Sequence, residues 1–226
     1  MPRRRRHSLF IARLTDGTQA TEGSPSAVIL DELRRCVLDG GVPPGTPIPP
    51  DEVAAVFGVS RIPVREALMT MVGEGLVEHR PNGGYTVARL TDAELHELYL
   101  VREVLETAAL AAAVTAAGPD DDAEANAAYQ ALDHAVRTAD LRAYHRDSRR
   151  FHWALVRPCG MRRLLGMLES AWNLTEPVQP MAQVTEAGRA DLHADHDALL
   201  AAFLARDGAE LVRVARRHHR RLQLLI

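Results

Sequence analysis

The 226-residue chain contains no lysine, so all 27 of its basic side chains are arginine. That bias reads as a mark of genome composition and carries no functional weight. Only two cysteines are present, Cys36 and Cys159, without CxxC spacing. They are too few for a disulfide framework and fit a reducing cytoplasm. No run of about 18 apolar residues occurs, and the arginine-rich start is not followed by the apolar stretch of a signal peptide, so no membrane partner is expected. Aromatic residues make up only 4% of the chain, β-branched runs are few, and alanine and leucine dominate. Helix should therefore outweigh sheet.

What is present is a 46% hydrophobic complement, enough to pack one large or two ordinary domains. The net charge is −3 but is unevenly spread: RRRR stands within the first seven residues, and Arg61, Arg65, Arg80 and Arg89 fall close together. Residues 1–25 mix RRRR, TDGT and EGSPS, a composition that cannot bury a core. They read as a disordered basic tail, which either adds phosphate contacts or is simply a solvated end.

Residues 26–88 carry a different pattern. AVILDELRRCVLDGG repeats apolar residues at helical spacing and stops at Gly40-Gly41. VPPGTPIPP reads as a proline-laden loop. Pro50 then suits the first turn of a second helix, DEVAAVFG, with Asp51 and Glu52 at its positive end and Gly58 closing it. Ser60 is a good N-cap for a third helix running to about Gly73 or Gly75, with Pro63 early enough to be tolerated. LVEH, a PNGG turn and YTVARL form a hairpin, because Asn-Gly is among the strongest short hairpin signals. Three helices and a two-stranded wing result.

Residues 89–226 show no further strand pattern. Thr91 can cap a long helix ended by Gly118-Pro119, and five more segments keep an apolar stripe, giving an all-helical bundle of about six helices. The fold class expected is mainly α: an N-terminal winged helix-turn-helix followed by that bundle.

A helix, a tight turn and a second helix can lay the second helix in the major groove with its first residues facing base edges. Arg61 and Arg65, four apart, share one face of that helix. Arginine there forks onto guanine O6 and N7 or grips phosphate, while Ser60 and the helix N-terminal amides favour phosphate oxygens. The tip Asn82-Gly83-Gly84 lacks bulk and can approach the minor groove, flanked by Arg80. Two arginines alone would be solvated charges on a packing helix; with the short preceding helix, the glycine turn and the wing, double-stranded DNA is the expected partner.

SRIPVREAL, preceded by FGV and followed by GEGLVEHRPNGGYTV, resembles the winged-helix domain of the GntR family of bacterial transcription regulators, over residues 27–88. PPGTPI matches that family's Pro-Gly approach to its second helix. The resemblance places DNA contacts on Ser60, Arg61, Arg65, Gly83 and Gly84. Two positions depart from it: Ile62 replaces a threonine whose hydroxyl can bond phosphate, and Pro50-Asp51 replaces a common Glu-Arg pair. An anion in place of a cation should reshape that contact, so the operator is expected to differ from the family's usual one.

LTDAELHELYLVREVLETAALAAA resembles the first helix of the FadR-like branch, whose ligand-sensing domain is called FCD. Arg102 and Glu106 match its Arg and Glu, four apart on one face. They form either a surface ion pair worth tenths of a kcal/mol, or, if Arg102 is buried, a site for an effector carboxylate. RDSRRFHWAL, DLHADHDALLAAF and ARRHHRRL place His152, His196 and His218 on three helices. Three neutral imidazoles there make a divalent-metal site, completed by waters or ligand oxygens. In many members of the branch three histidines at matching places hold a metal, zinc or nickel being the candidates, and the 22-residue gap from His196 to His218 suits that pattern. The usual fourth ligand, an acid or amide four residues before the first histidine, falls on Ser148. Asp147 lies one residue earlier, about 100° round the helix, and reaches the metal only through a local bulge. His134, His145, His193 and His219 read as surface residues.

The resemblance implies a ligand-responsive cytoplasmic repressor that binds a palindromic operator as a homodimer and senses a small organic acid at the metal and Arg102. Alternatives are a regulator whose helical domain only dimerises, and a three-histidine metalloenzyme with Asp147 or Asp195 as general base. No HExxH or comparable catalytic motif supports the last.

Overall fold

The computed structural model describes residues 8–15, 24–38, 42–178 and 184–225. These fall into two compact units that divide between Thr91 and Asp92, with Asn173–Val178 grouped with the first.

In the first unit, α1 (Leu9–Thr15) precedes α2 (Pro25–Leu38), β1 (Pro47–Ile48), α3 (Pro50–Phe57), α4 (Arg61–Gly73), β2 (Val77–Arg80) and β3 (Gly84–Val87). Helix α1 corrects, for Leu9–Thr15, the reading of residues 1–25 as a disordered tail. LFIARLT is itself amphipathic, and Phe10, Ile11 and Leu14 are buried in the same core as Leu33, Val53 and Leu68. Composition hid this, because three apolar residues at i, i+1 and i+4 are diluted by their polar flanks. The RRRR run and the Gly40-Gly41 stop lie outside the described residues.

The α3–α4 pair is built by local chemistry. Pro49 and Pro50 open α3, and Gly58, at φ +64°, closes it in the left-handed conformation with its N–H turned back to the α3 carbonyls. Ser60 occupies the N-cap position of α4 with extended φ and ψ, but its side chain makes no capping bond. Its hydroxyl is thus uncommitted to the helix. Val64, Ala67, Leu68 and Met71 turn one face of α4 into the core. That leaves Arg61, Ile62, Arg65, Met69 and Thr70 exposed.

The wing is a hairpin with Arg80 opposite Gly84, its Pro81-Asn82-Gly83 turn closed by Gly83 N–H to the Arg80 carbonyl at 2.9 Å. Asn82 is left-handed at φ +61°, which an asparagine tolerates. The sheet has three strands rather than two: Pro47 and Ile48 pair antiparallel with Thr86 and Tyr85, giving the order β1-β3-β2. The PPGTPIPP segment therefore contains an edge strand; prolines tolerate that place because an edge leaves one row of N–H groups unused.

The second unit is built from six helices among the described residues: α5 (Asp92–Ala116), α6 (Pro119–Arg137), α7 (Leu141–Val156), α8 (Arg162–Thr175, its last three residues grouped with the first unit), α9 (Glu186–Leu204) and α10 (Gly208–Leu225). Their starts carry matched caps. Asp121 accepts from Gly118 N–H at 2.8 Å, Asp140 from Arg142 and Ala143 at 3.1 and 3.0 Å, and Thr185 from Gly188 at 3.1 Å. Helix α7 packs on α6 and α5, and α10 on α5 and α9, around Leu110, Leu132, Phe151, Leu199, Phe203 and Leu211. A 3-10 turn, Arg157–Cys159, joins α7 to α8 and leaves Cys159 half-buried, whereas Cys36 is buried in α2. No helix among the described residues is long and apolar enough to cross a membrane.

Candidate nucleic-acid interface and metal centre

Ser60, Arg61, Arg65, Arg80, Gly83 and Gly84 are all exposed. Arg61, Arg65, Arg80 and Gly84 line one surface groove together with Asp51, His79 and Tyr85. The fold forces this convergence. Arg61 and Arg65 are one helical turn apart at the start of α4, and the hairpin turn sets Arg80 opposite Gly84 in register. His79 and Tyr85, cross-strand neighbours with ring centroids 4.5 Å apart, stiffen the groove's sheet wall. Two of its cations have carboxylate partners. Arg61 lies on Asp51, with Nε to Oδ1 at 2.5 Å and Nη2 to Oδ2 at 2.8 Å, and Arg80 Nη2 is 3.2 Å from Glu78. These pairs are solvent-exposed, so each contributes little to stability.

In the bundle, α7, α9 and α10 bring His152, His196 and His218 together. All three are buried, and each offers a nitrogen within 4.8 Å of the others'. His152 Nε2 is 3.2 Å from His196 Nε2. Phe151 stacks edge-on against both rings, at 5.8 and 5.4 Å between centroids, and fixes their orientation. Glu106 of α5, also buried, accepts from His152 Nδ1 and from His219 Nε2, the latter at 3.2 Å. With its Nδ1 hydrogen-bonded to Glu106, His152 turns Nε2 toward His196. Behind His218 stands Asp195, its Oδ2 3.8 Å from Nδ1, held by Arg217 at 2.8 Å and Arg221 at 3.1 Å.

Burial sets the charges. It holds His196 well below the usual imidazole range, with neighbouring His218 and His152 adding to the effect, and pushes His218 down to about 4. Burial alone would raise Glu106, but the charges and hydrogen bonds of His152 and His219 outweigh it and hold that carboxyl well below the usual range. Asp195 is likewise lowered despite its burial, by His218, Arg217 and Arg221. The result is a buried nitrogen cluster, with His196 and His218 disfavoured as cations, flanked by two carboxylates.

Such a cluster fits a cation. Two imidazole nitrogens 3.2 Å apart away from water need a proton or a metal between them, and His196 Nδ1 and His218 Nδ1 have no hydrogen-bond partner among the described residues. An all-imidazole donor set suits a divalent transition metal such as zinc or nickel.

The tentative fourth ligands fare differently. Asp147 is buried but does not join the cluster; Arg146 grips both its oxygens at 2.9 Å along an unbroken α7. No bulge turns it inward. Ser148 is half-buried. Arg102 is buried, its guanidinium 3.8 Å from the centre of the Trp172 ring and 4.8 Å from that of Tyr99; Trp172 in turn meets the His152 ring edge-on at 5.4 Å. Glu106 is no surface ion-pair acid, and His219 is buried rather than on the surface, while His145 and His193 are half-buried and His134 is exposed. A signal for both corrections was present: Glu106 shares helical spacing with the apolar Tyr99 and Leu110, and His219 lies four residues after the buried Ala215.

Comparison with known proteins gives two matches that tile the chain: the model of bacterial regulatory proteins of the gntR family over residues 25–87 and that of the FCD domain over residues 97–221. A probable D-xylose utilization operon transcriptional repressor from Paenarthrobacter nicotinovorans is 30% identical over 71% of this chain and 66% of its own. The HTH-type transcriptional repressor GlaR of Escherichia coli K12 is 27% identical over 82% of this chain and 88% of its own. E. coli McbR is 29% identical over 63% of this chain and 64% of its own; its solved structure superposes with a TM-score of 0.78 at 25% identity, covering 88% of this chain and 95% of that one. The matched stretch thus spans just under two thirds of the length of the xylose-operon repressor and of McbR. The chain belongs to the gntR family of bacterial regulatory proteins, in the branch that carries an FCD domain, a family of transcription regulators and not of enzymes.

Proposed function

We propose that this protein is a ligand-responsive transcriptional repressor that binds a palindromic DNA operator as a homodimer and senses a small organic acid in its helical domain. The observation that carries the reading is the groove formed by the start of α4 and the wing, where Arg61, Arg65 and Arg80 stand exposed beside a glycine tip. A recognition helix in the major groove and a slim wing over the neighbouring backbone use these groups as base-reading forks and phosphate grips. One such helix reads only a few base pairs, so a two-fold pair of them is needed for a specific site. Leu100, Val101 and Val104 on α5 are exposed apolar side chains that suit the two-fold contact.

For the sensing half, His152, His196 and His218 are the residues that would hold a divalent transition metal, with Glu106 and Asp195 orienting them from behind. When bound, such a metal offers open coordination positions to carboxylate oxygens. Buried Arg102 would supply the charge complement, since it and His152 both border Trp172. Acid binding then shifts the population between DNA-binding and DNA-releasing arrangements.

The test selects binding sites for the full chain from randomised duplexes and measures affinity for the winner with and without zinc, nickel and a panel of small carboxylic acids. At least one acid should weaken binding in the metal-loaded protein. Affinity unmoved by every acid refutes the sensing half, and selection that enriches no sequence refutes the repressor.

A further inference from the structure

The guanidinium of Arg61 has two edges that can bond bidentately. Asp51 takes one of them: Oδ1 receives Nε at 2.5 Å and Oδ2 receives Nη2 at 2.8 Å. The carboxylate therefore sits against the Nε–Nη2 edge and leaves the Nη1–Nη2 end-on edge, the one that matches guanine O6 and N7, with no ion pair among the described residues. Both residues are exposed, at 70% and 62% of their side-chain surface, so this is not a stability pair buried in the core. Both line the groove between α4 and the wing. Asp51 is itself held in place, in the first turn of α3 behind the rigid Pro49-Pro50 pair.

We infer that Asp51 is a specificity-determining residue, a carboxylate buttress that presents Arg61 end-on to a guanine and withholds it from the phosphates. A free arginine on a groove samples many rotamers and grips any phosphate in reach. Pinned side-on by a carboxylate, it loses that freedom before DNA arrives, and the remaining fork favours one base. The negative charge also lowers affinity for duplex in general, because each phosphate that approaches Asp51 is repelled. Asp51 thus exchanges non-specific affinity for base discrimination. This deepens the proposed DNA reading and rests on it.

The experiment uses the full chain, a site selected from randomised duplexes and the same site substituted at each base pair. Parent, Arg61→Ala, Asp51→Asn and Asp51→Ala are compared for affinity and salt dependence, with thermal unfolding to verify that each folds. The parent should prefer guanine at one position of each half-site, and Arg61→Ala should abolish that preference. Both Asp51 variants should retain binding, bind random duplex at least as tightly as the parent, and lose roughly tenfold of the discrimination at that one position. Should the Asp51 variants bind all sequences more tightly with the guanine preference intact, Asp51 merely repels phosphate and the buttress is wrong. A preference that survives Arg61→Ala overturns it too. If the parent selects no sequence at all, the DNA reading falls and takes this inference with it, an outcome distinct from the other two.

Discussion

At the scale of single residues, the two halves of the chain depend on opposite treatments of charge. The groove arginines remain in water, two of them beside exposed carboxylates; the histidines are stripped of water, and burial keeps His196 and His218 neutral. Arg65→Ala should weaken binding to a selected duplex by roughly 10- to 100-fold, read by fluorescence anisotropy, as expected for losing one base-reading fork or strong phosphate contact. Glu106→Gln should reduce metal affinity by about 10- to 100-fold. The carboxylate accepts from two histidines at once, whereas the amide has one acceptor and would turn an N–H toward the other ring. Titrating zinc while following the emission of Trp172, which borders His152, measures it; equal affinities in the two proteins would show that Glu106 does not orient the site.

At the scale of elements, much was legible and the failures share a cause. Gly58, the Pro49-Pro50 pair and the Asn82-Gly83 turn are residues whose backbone chemistry permits few alternatives, and the α3–α4 turn and the wing followed from them. The trio His152, His196 and His218 was legible only with the help of family resemblance, because ten histidines offer many chance triples. What escaped depended on tertiary packing. β1 exists because β3 offers an edge to Pro47 and Ile48, and α1 because the α2 and α3 surfaces need covering by Phe10 and Leu14. Asp147 was the nearest acid to the expected ligand position, but an unbroken α7 turns it to Arg146 instead. Since Phe10 is fully buried, Phe10→Ala should destabilise the winged-helix unit by about 3–5 kcal/mol in urea unfolding. A change below about 0.5 kcal/mol, typical of surface positions, would return residues 9–15 to the role of a tail.

For the molecule as a whole, a ligand that binds only the folded bundle must stabilise it. Zinc or nickel at a hundred times its dissociation constant adds about 2.7 kcal/mol to the unit that holds the histidines, and chelation removes it. Scanning calorimetry of the full chain should therefore show a transition that moves up with metal and back with chelator. His196→Ala should abolish the shift, and a shift that persists in that variant would place the binding elsewhere. The two cysteines carry a practical consequence of the fold. Cys36 lies in a closed core while Cys159 sits half-open on the turn that ends α7, the helix bearing His152. A thiol-reactive dye should attach at this one point, and a chain without lysine offers amine-reactive chemistry no competing side chains. The native sequence thus comes with its own addressable handle just past the end of α7, through which ligand-driven motion of that end of the helix can be followed without engineering a cysteine.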